Sequence, residues 1–315
     1  MSSVAAAQQA PAPHPAQALV REAARSLLDP QARDLAAQVE WWPLPQLDAG
    51  EGWGPWPVAV LGEGPPVLLL HGFDSSFLEF RRLAPLLAGG AQLFIPDLFG
   101  FGFSPRPAGG DYSPTGVLRH LDALVQAIGD RNPAPLGLIG ASMGGSVAVE
   151  LARRLPEQVQ RLLLLAPAGL TGRPMPLPPL LDGLGVRFLA LPGVRRGLCR
   201  TAFADPEASV GAAELEIASL HLQSPGWAEA LQRFARSGGF AGCGAPLPHQ
   251  PIDVLWGADD RILRAPQKRA ALALLGERVR ELDACGHLPH LDQPATVATT
   301  WLAKPPLPMP GPLHP

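Results

Sequence analysis

Charge is in short supply in this chain. Asp, Glu, Lys and Arg make up 17% of its 315 residues, and 25 basic side chains against 28 acidic ones leave a formal net charge of -3. A nucleic-acid binder carries a basic excess and a solvated disordered chain a large net charge, so neither class fits. A small molecule is the expected partner, with no nucleic acid. Cysteine is scarce too. Cys199, Cys243 and Cys285 are odd in number, far apart, and without the paired spacing of a zinc site or a disulfide framework. That usage fits a reducing compartment and predicts no metal site. Residues 1–15 have no basic start and no continuous apolar core, so no secretory leader is read there, and no later stretch has an uncharged apolar run of spanning length. The expectation is a soluble cytoplasmic protein, with peripheral membrane contact and oligomeric state left open.

Apolar sequence is plentiful, at 47% of the chain. That is enough to bury one large α/β domain with insertions, or two small ones, without staples. The two ends stand apart. Residues 1–15 are rich in Ala, Gln and Pro, and 304–315 are rich in Pro, which has no amide hydrogen to give to a helix or an inner strand. Both read as disordered tails. Between residues 17 and 40, Leu19, Val20, Leu27, Leu28, Leu35 and Val39 keep loose helical spacing interrupted by Asp29-Pro30. One broken helix or two short ones are expected, packed on the main domain or meeting a lipid surface or partner.

From Trp53 onward, short apolar runs alternate with helical segments, as in a mostly parallel sheet buried on both faces by helices. The expected strands are Val67–Leu70, Leu93–Ile95, Leu136–Ile139, Leu162–Leu165, Val254–Trp256 and Val279–Leu282. One helix is strongly signalled: Ser113 as cap, Pro114 in the first turn, and Val117, Leu118, Leu121, Leu124, Val125 and Ile128 on one face before Gly129. From about Gly169 to Gln250 the alternation breaks, and it resumes only at Ile252. A helical cap over a pocket is the natural interpretation, with Leu180, Leu181, Leu184, Val186, Phe188, Leu189 and Leu191 lining its underside or packing it. The expected organisation is a tail and helical extension (1–52), a core in two parts (53–168 and 251–303), a cap insertion (169–250) and a Pro-rich tail (304–315).

The chemistry concentrates at Gly140-Ala141-Ser142-Met143-Gly144, where a strand runs into a helical segment. A Gly-x-Ser-x-Gly turn in that setting exposes a nucleophilic serine on strained backbone. Glycines are needed at 140 and 144 because a side chain there would meet the neighbouring strand or helix. The helix start offers amides and a positive dipole end to a developing oxyanion. A serine hydroxyl also needs a base, and the base needs a carboxylate. The runs 254–262 and 283–289 follow predicted strands and supply Asp259 or Asp260, and then His287, in the chain order Ser, Asp, His.

With these residues in hand, the chain from about Trp53 to Leu302 resembles the α/β-hydrolase superfamily in its capped, serine-nucleophile form. The resemblance runs through His71-Gly72-Phe73, the stretch 96–104 (Pro-Asp-Leu-Phe-Gly-Phe-Gly-Phe-Ser), the serine turn, Trp256-Gly257-Ala258-Asp259-Asp260 and Gly286-His287-Leu288-Pro289. It implies an α/β-hydrolase fold and Asp260 as the acid, with Asp259 as fallback. It also implies an oxyanion hole from the backbone amides of Phe73 and Met143, whose side chains wall the pocket, and a structural His71. Asp97 reads as a turn former. His120, His221, His249 and His290 show no partner pattern and read as structural or exposed. The run 68–82 is further similar to that of plant and cyanobacterial hydrolases that include chlorophyll dephytylase, which implies release of phytol by ester hydrolysis. The function expected is hydrolysis of a lipophilic carboxylic ester without a cofactor. The same triad would also suit a carbon–carbon bond hydrolase, a haloperoxidase-like enzyme, or a non-catalytic small-ligand receptor.

Overall fold

The continuous Val, Leu and Ile runs that predict doubly buried strands form the centre of one sheet in the computed structural model, which describes residues 14–47 and 52–303. The strands are β1 (Val39–Trp42), β2 (Trp56–Leu61), β3 (Pro66–Leu70), β4 (Gln92–Pro96), β5 (Leu136–Ala141), β6 (Val159–Leu165), β7 (Ile252–Gly257) and β8 (Val279–Leu282). They lie in the order β1-β2-β4-β3-β5-β6-β7-β8. The β1/β2 and β2/β4 pairs are antiparallel and the remainder parallel. Every residue of β3 and β5 is buried. All six expected strands are present, each matched or extended at its ends. The antiparallel β1 and β2 are additional. Val39, expected in a helix, opens β1, and β2 carries Pro57, a residue that argues against an inner strand.

Helices cover both faces. Alternate strand residues point opposite ways, so Leu68, Leu138, Leu164 and Val254 join one apolar cluster while Val67, Ile139, Leu163 and Leu255 join the other. The N-terminal segment forms two short helices, α1 (Pro15–Ser26) and α2 (Pro30–Ala37), divided where Asp29 caps α2 by accepting from the amides of Gln31 and Ala32. His14 caps α1 through Nδ1, 3.2 Å from the Ala16 amide, so residues 14 and 15 belong to a helix start rather than to the expected tail. The remaining tail residues, 1–13 and 304–315, lie outside the described residues. Val20, Leu27 and Leu35 are buried against the core, each burial stabilising by roughly 1.5–3 kcal/mol; Leu28 instead faces solvent.

The short α3 (Ala84–Leu87) precedes β4, and α4 (Pro114–Arg131) and α5 (Met143–Arg154) flank β5 in sequence. The buried face of α4 is the expected one. Two details differ. The Ser113 side chain makes no capping bond, its own amide donating to Asp111 Oδ1 at 3.1 Å. The helix also continues past Gly129 to Arg131, since a helix interior tolerates a glycine at modest cost.

Five helices separate β6 from β7 as a cap-like insertion: α6 (Leu181–Leu189), α7 (Pro192–Ala202), α8 (Pro206–Ser209), α9 (Ala212–Leu220) and α10 (Trp227–Ser237). Then come α11 (Ala265–Leu275), α12 (Pro289–Asp292) and α13 (Pro294–Leu302). The expectation that the leucines of 180–191 pack beneath the cap is corrected. Val186 is buried and Leu189 is half-buried, whereas Leu180, Leu181, Leu184, Phe188 and Leu191 are exposed. Asp182 and Val186, one turn apart, are the buried residues of α6, and Asp182 is paired with Arg236 of α10. The opposite side of the helix therefore has nothing to pack on.

Candidate active site

Ser142 sits between the end of β5 and the start of α5 with φ 50° and ψ -119°. A non-glycine residue in that region is strained and persists only where its surroundings hold it. Its amide donates to Leu165 O (2.9 Å), and its carbonyl accepts from Gly145 and Ala168 (2.9 Å each). A Cβ at Gly140 would lie 2.3 Å from Gly144 O, and one at Gly144 would lie 2.0 Å from Leu70 O. The collisions inferred from the motif are thus with the adjoining helix and with β3.

Two loops at the carboxyl ends of β7 and β8 bring the other expected residues to Ser142. The Ser142 hydroxyl donates to His287 Nε2 (2.9 Å), and His287 Nδ1 donates to Asp260 Oδ2 (2.9 Å). Asp260 Oδ2 also accepts from Trp256 Nε1 (2.9 Å), and Oδ1 accepts from the amides of Ile262 (2.9 Å) and Leu263 (3.2 Å). Burial works to raise this carboxyl, but the hydrogen bond and charge of His287, with the two amides, outweigh it and hold the group below the usual range. Asp259 is exposed, and its backbone amide bonds Cys285 O. The His287 amide donates to Ala202 O (2.7 Å), tying the histidine loop to the end of α7.

His71 and Asp97 hold the loop that follows β3. The His71 ring is fully buried, donates from Nδ1 to Gly72 O (2.7 Å) and accepts the Leu98 amide at Nε2 (3.0 Å). Burial pushes it down to about 4, so it is neutral and structural. Asp97 accepts the amides of Phe77 and Phe103 at 2.6 Å each, which pins the same loop to the one after β4. Among the described residues, no protein group takes the amide hydrogen of Phe73 or Met143. The Phe73 side chain lines the cavity; Met143, expected beside it, packs into the main core cluster instead.

The cavity that opens on Ser142 and His287 measures about 270 Å³. Its walls include Phe73, Phe203, Ile262, Leu288 and Leu291, and residues of α6, α7 and α9 complete the lining. Charged residues that sequence reasoning did not assign also line it. Asp74 accepts Trp227 Nε1 (2.8 Å) and His221 Nε2 (3.1 Å) on Oδ1 and pairs with Arg195 through Oδ2. Arg81 donates to Asp29 Oδ2 (2.8 Å) and pairs with Glu214. Glu79 accepts the Gly72 amide (3.2 Å) and lies 2.9 Å from His290 Nε2. Burial opposes ionisation of Glu79, yet His290 brings it down to about 2. His221 and His290, expected to lack partners, therefore each face a carboxylate. His120 is buried among Trp56 and Phe99, and His249 is exposed. The available signal was the density of charge at 74–82 inside an otherwise apolar run; the cap partners lie more than 100 positions away.

The arrangement can carry acyl transfer: a hydroxyl beside a base, a base beside a buried carboxylate, and two amide donors at a strained turn. Residues 67–300 match the model of the alpha/beta hydrolase family. The chain is 31% identical to the alpha/beta hydrolase domain-containing protein VTE7 of Arabidopsis thaliana, over 86% of this chain and 84% of that protein. It is 29% identical to a 2-hydroxymuconate semialdehyde hydrolase of Pseudomonas sp. (strain CF600), over 76% and 86%. A shorter stretch, 34% of this chain and 32% of the relative, is 41% identical to lipase 1 of Psychrobacter immobilis. With the sheet order, the capped cavity and a match spanning residues 67–300, the chain belongs to the alpha/beta hydrolase family and is a hydrolytic enzyme.

Proposed function

We propose that this enzyme cleaves an acyl bond in a lipophilic small molecule, an ester foremost. Ser142 is the nucleophile, His287 the base and Asp260 its orienting carboxylate, with residues 169–250 as the cap. The observation that carries this reading is the pair of 2.9 Å hydrogen bonds linking Asp260, His287 and Ser142 on the wall of the cavity. Ser142 Oγ attacks the carbonyl carbon as its proton passes to His287 Nε2, and the Phe73 and Met143 amides hold the oxyanion. The carbon–oxygen bond then breaks, and His287 returns the proton to the departing alkoxide. Water, activated by the same histidine, hydrolyses the acyl-enzyme. Neither a cofactor nor a metal is needed.

The cavity supports a neutral substrate. Its guanidinium groups, Arg81 and Arg195, are engaged by Asp29 and Glu214 and by Asp74. An anionic substrate would have to displace a buried carboxylate partner, at a cost of about 3–5 kcal/mol. A neutral ester meets no such obstacle. Carbon–carbon bond hydrolysis is the second reading, favoured by the likeness to the semialdehyde hydrolase over most of both chains.

A serine-directed organophosphonate should add one covalent mass at Ser142 and abolish turnover. Labelling elsewhere, with full activity in Ser142→Ala, would overturn the nucleophile assignment. A panel of short nitrophenyl esters, long acyl esters, chlorophyll and a vinylogous diketone separates the substrate readings. Release of phytol from chlorophyll supports the phytyl-ester expectation, turnover of the diketone alone supports the second reading, and tight ligand binding with no turnover would identify a receptor.

A further inference from the structure

Helix α6 turns Asp182 and Val186 inward and presents Leu181, Leu184 and Phe188, at i, i+3 and i+7 spacing, to solvent at 55–61% exposure. Met175 and Leu180 extend this surface before the helix, at 76% and 82%, and Leu191 extends it after. Leu180 is held at φ 83°, a conformation a branched side chain rarely adopts. Soluble domains seldom leave so many neighbouring large apolar side chains uncovered unless something binds there. Two further features identify what does. Residues 173–200 contain Arg173, Arg187, Arg195, Arg196 and Arg200 but a single acid, Asp182, which is buried, in a chain whose net charge is -3. Arg173, Arg187 and Arg196 are exposed and lie close in sequence to the apolar stripe. The surface is also continuous with the catalytic cavity: Leu189 of α6 and Leu198 of α7 line it, and Leu198 and Phe73 are both exposed as well.

We propose that this face docks the enzyme on a lipid surface carrying anionic headgroups, so that a lipophilic ester passes from the bilayer into the cavity between α6, α7 and Phe73. The apolar stripe enters the interface and the arginines meet the headgroups. The purpose of the docking rests on the lipophilic substrate proposed above; the binding itself does not, and is measured in a variant that cannot turn over.

The test is co-sedimentation of full-length Ser142→Ala with phosphatidylcholine vesicles, with and without phosphatidylglycerol. The protein should sediment with the anionic vesicles and detach as salt is raised. Leu184→Glu combined with Phe188→Glu should lower the affinity at least about tenfold, and the triple change Arg173→Gln, Arg187→Gln and Arg196→Gln by roughly a hundredfold, at about fivefold per basic residue. In a Ser142 background both sets should hydrolyse nitrophenyl acetate at the unsubstituted rate, which shows that they fold. The proposal fails if the protein stays in the supernatant, if zwitterionic and anionic vesicles bind it equally, or if the Leu184 and Phe188 variants bind as the parent does. It fails equally if sedimentation velocity shows a dimer that those two substitutions dissociate, because the occupant is then a second copy. Loss of ester hydrolysis with vesicle binding intact would count against the proposed activity alone.

Discussion

Asp259 and Asp260 are chemically identical neighbours in different surroundings. Asp260 accepts four hydrogen bonds, one of them from His287, and its side chain is fully buried; Asp259 faces water. In the proposed mechanism, an ionised carboxylate at 260 fixes the histidine tautomer and stabilises the imidazolium that would form as Ser142 attacks. Asp260→Asn keeps the volume but turns an amide toward the ring, so kcat for ester hydrolysis should fall by about 10³–10⁴ with KM little changed. Asp259→Asn should leave both constants as they are. Steady-state kinetics of the two variants checks the assignment, and a loss confined to Asp259→Asn would reverse it. The resemblance implies Asp260, and in the loop geometry it is Asp260, not Asp259, that bonds His287.

At the scale of elements, the seam between the core and the cap-like insertion runs through Asp74. It directly follows Phe73, whose amide faces no protein acceptor, and it stands at φ 49° with donors from α7 (Arg195), α10 (Trp227) and the turn between α9 and α10 (His221) on its carboxylate. The cap thereby sets the position of the proposed oxyanion donor. Asp74→Asn removes the charge facing Arg195, and the Phe73 amide should drift; kcat on a small soluble ester should drop by about 10–100-fold, less than the 10²–10³ lost when a donor is removed outright. KM should change little, which distinguishes mispositioning from a weakened pocket, and a kcat within error of the parent would show that the loop holds itself. A second joint lies at Arg81, where Asp29 of the N-terminal extension and Glu214 of α9 converge on one buried guanidinium. The Leu28 amide also bonds Glu216 of α9 at 2.8 Å. The extension is therefore fastened to the cap as well as to the sheet. Arg81→Met strands two carboxylates, and a loss of roughly 3–5 kcal/mol is expected in urea unfolding, with a smaller loss in the double variant that also carries Glu214→Gln.

For the whole molecule, two buried neutral histidines weaken the fold in acid, partly offset by Asp97, which burial raises to about 7 and which takes up its proton in the folded state over the same range. Burial lowers His71 to about 4 and His120 to about 3. In the unfolded chain both regain a pKa near 6.5. Between those values the unfolded state binds more protons, so stability is fully present above pH 6.5 and is lost as pH falls toward 4. The urea midpoint should decline over that range, and His120→Phe, which keeps an aromatic ring beside Trp56 and Phe99, should flatten the decline. A variant with the parent's slope would remove His120 from the account. No helix among the described residues is long and apolar enough to cross a membrane. Local signals, by themselves, determined much of this protein: doubly buried strands from continuous apolar runs, the face of α4 from its 3.6-residue period, and the serine turn from two glycines with no room for a side chain. They also ordered Ser142, Asp260 and His287 along the chain. Periodicity did not reveal β1 and β2, because Val39 continues the helical spacing of residues 17–40 and β2 contains Pro57. Only the tertiary structure decided which charges face each other across the seam, and that Leu181, Leu184 and Phe188 of α6 look outward. The physical reason is that a period tells a helix which residues share a face, while what lies opposite that face depends on elements tens to hundreds of residues away.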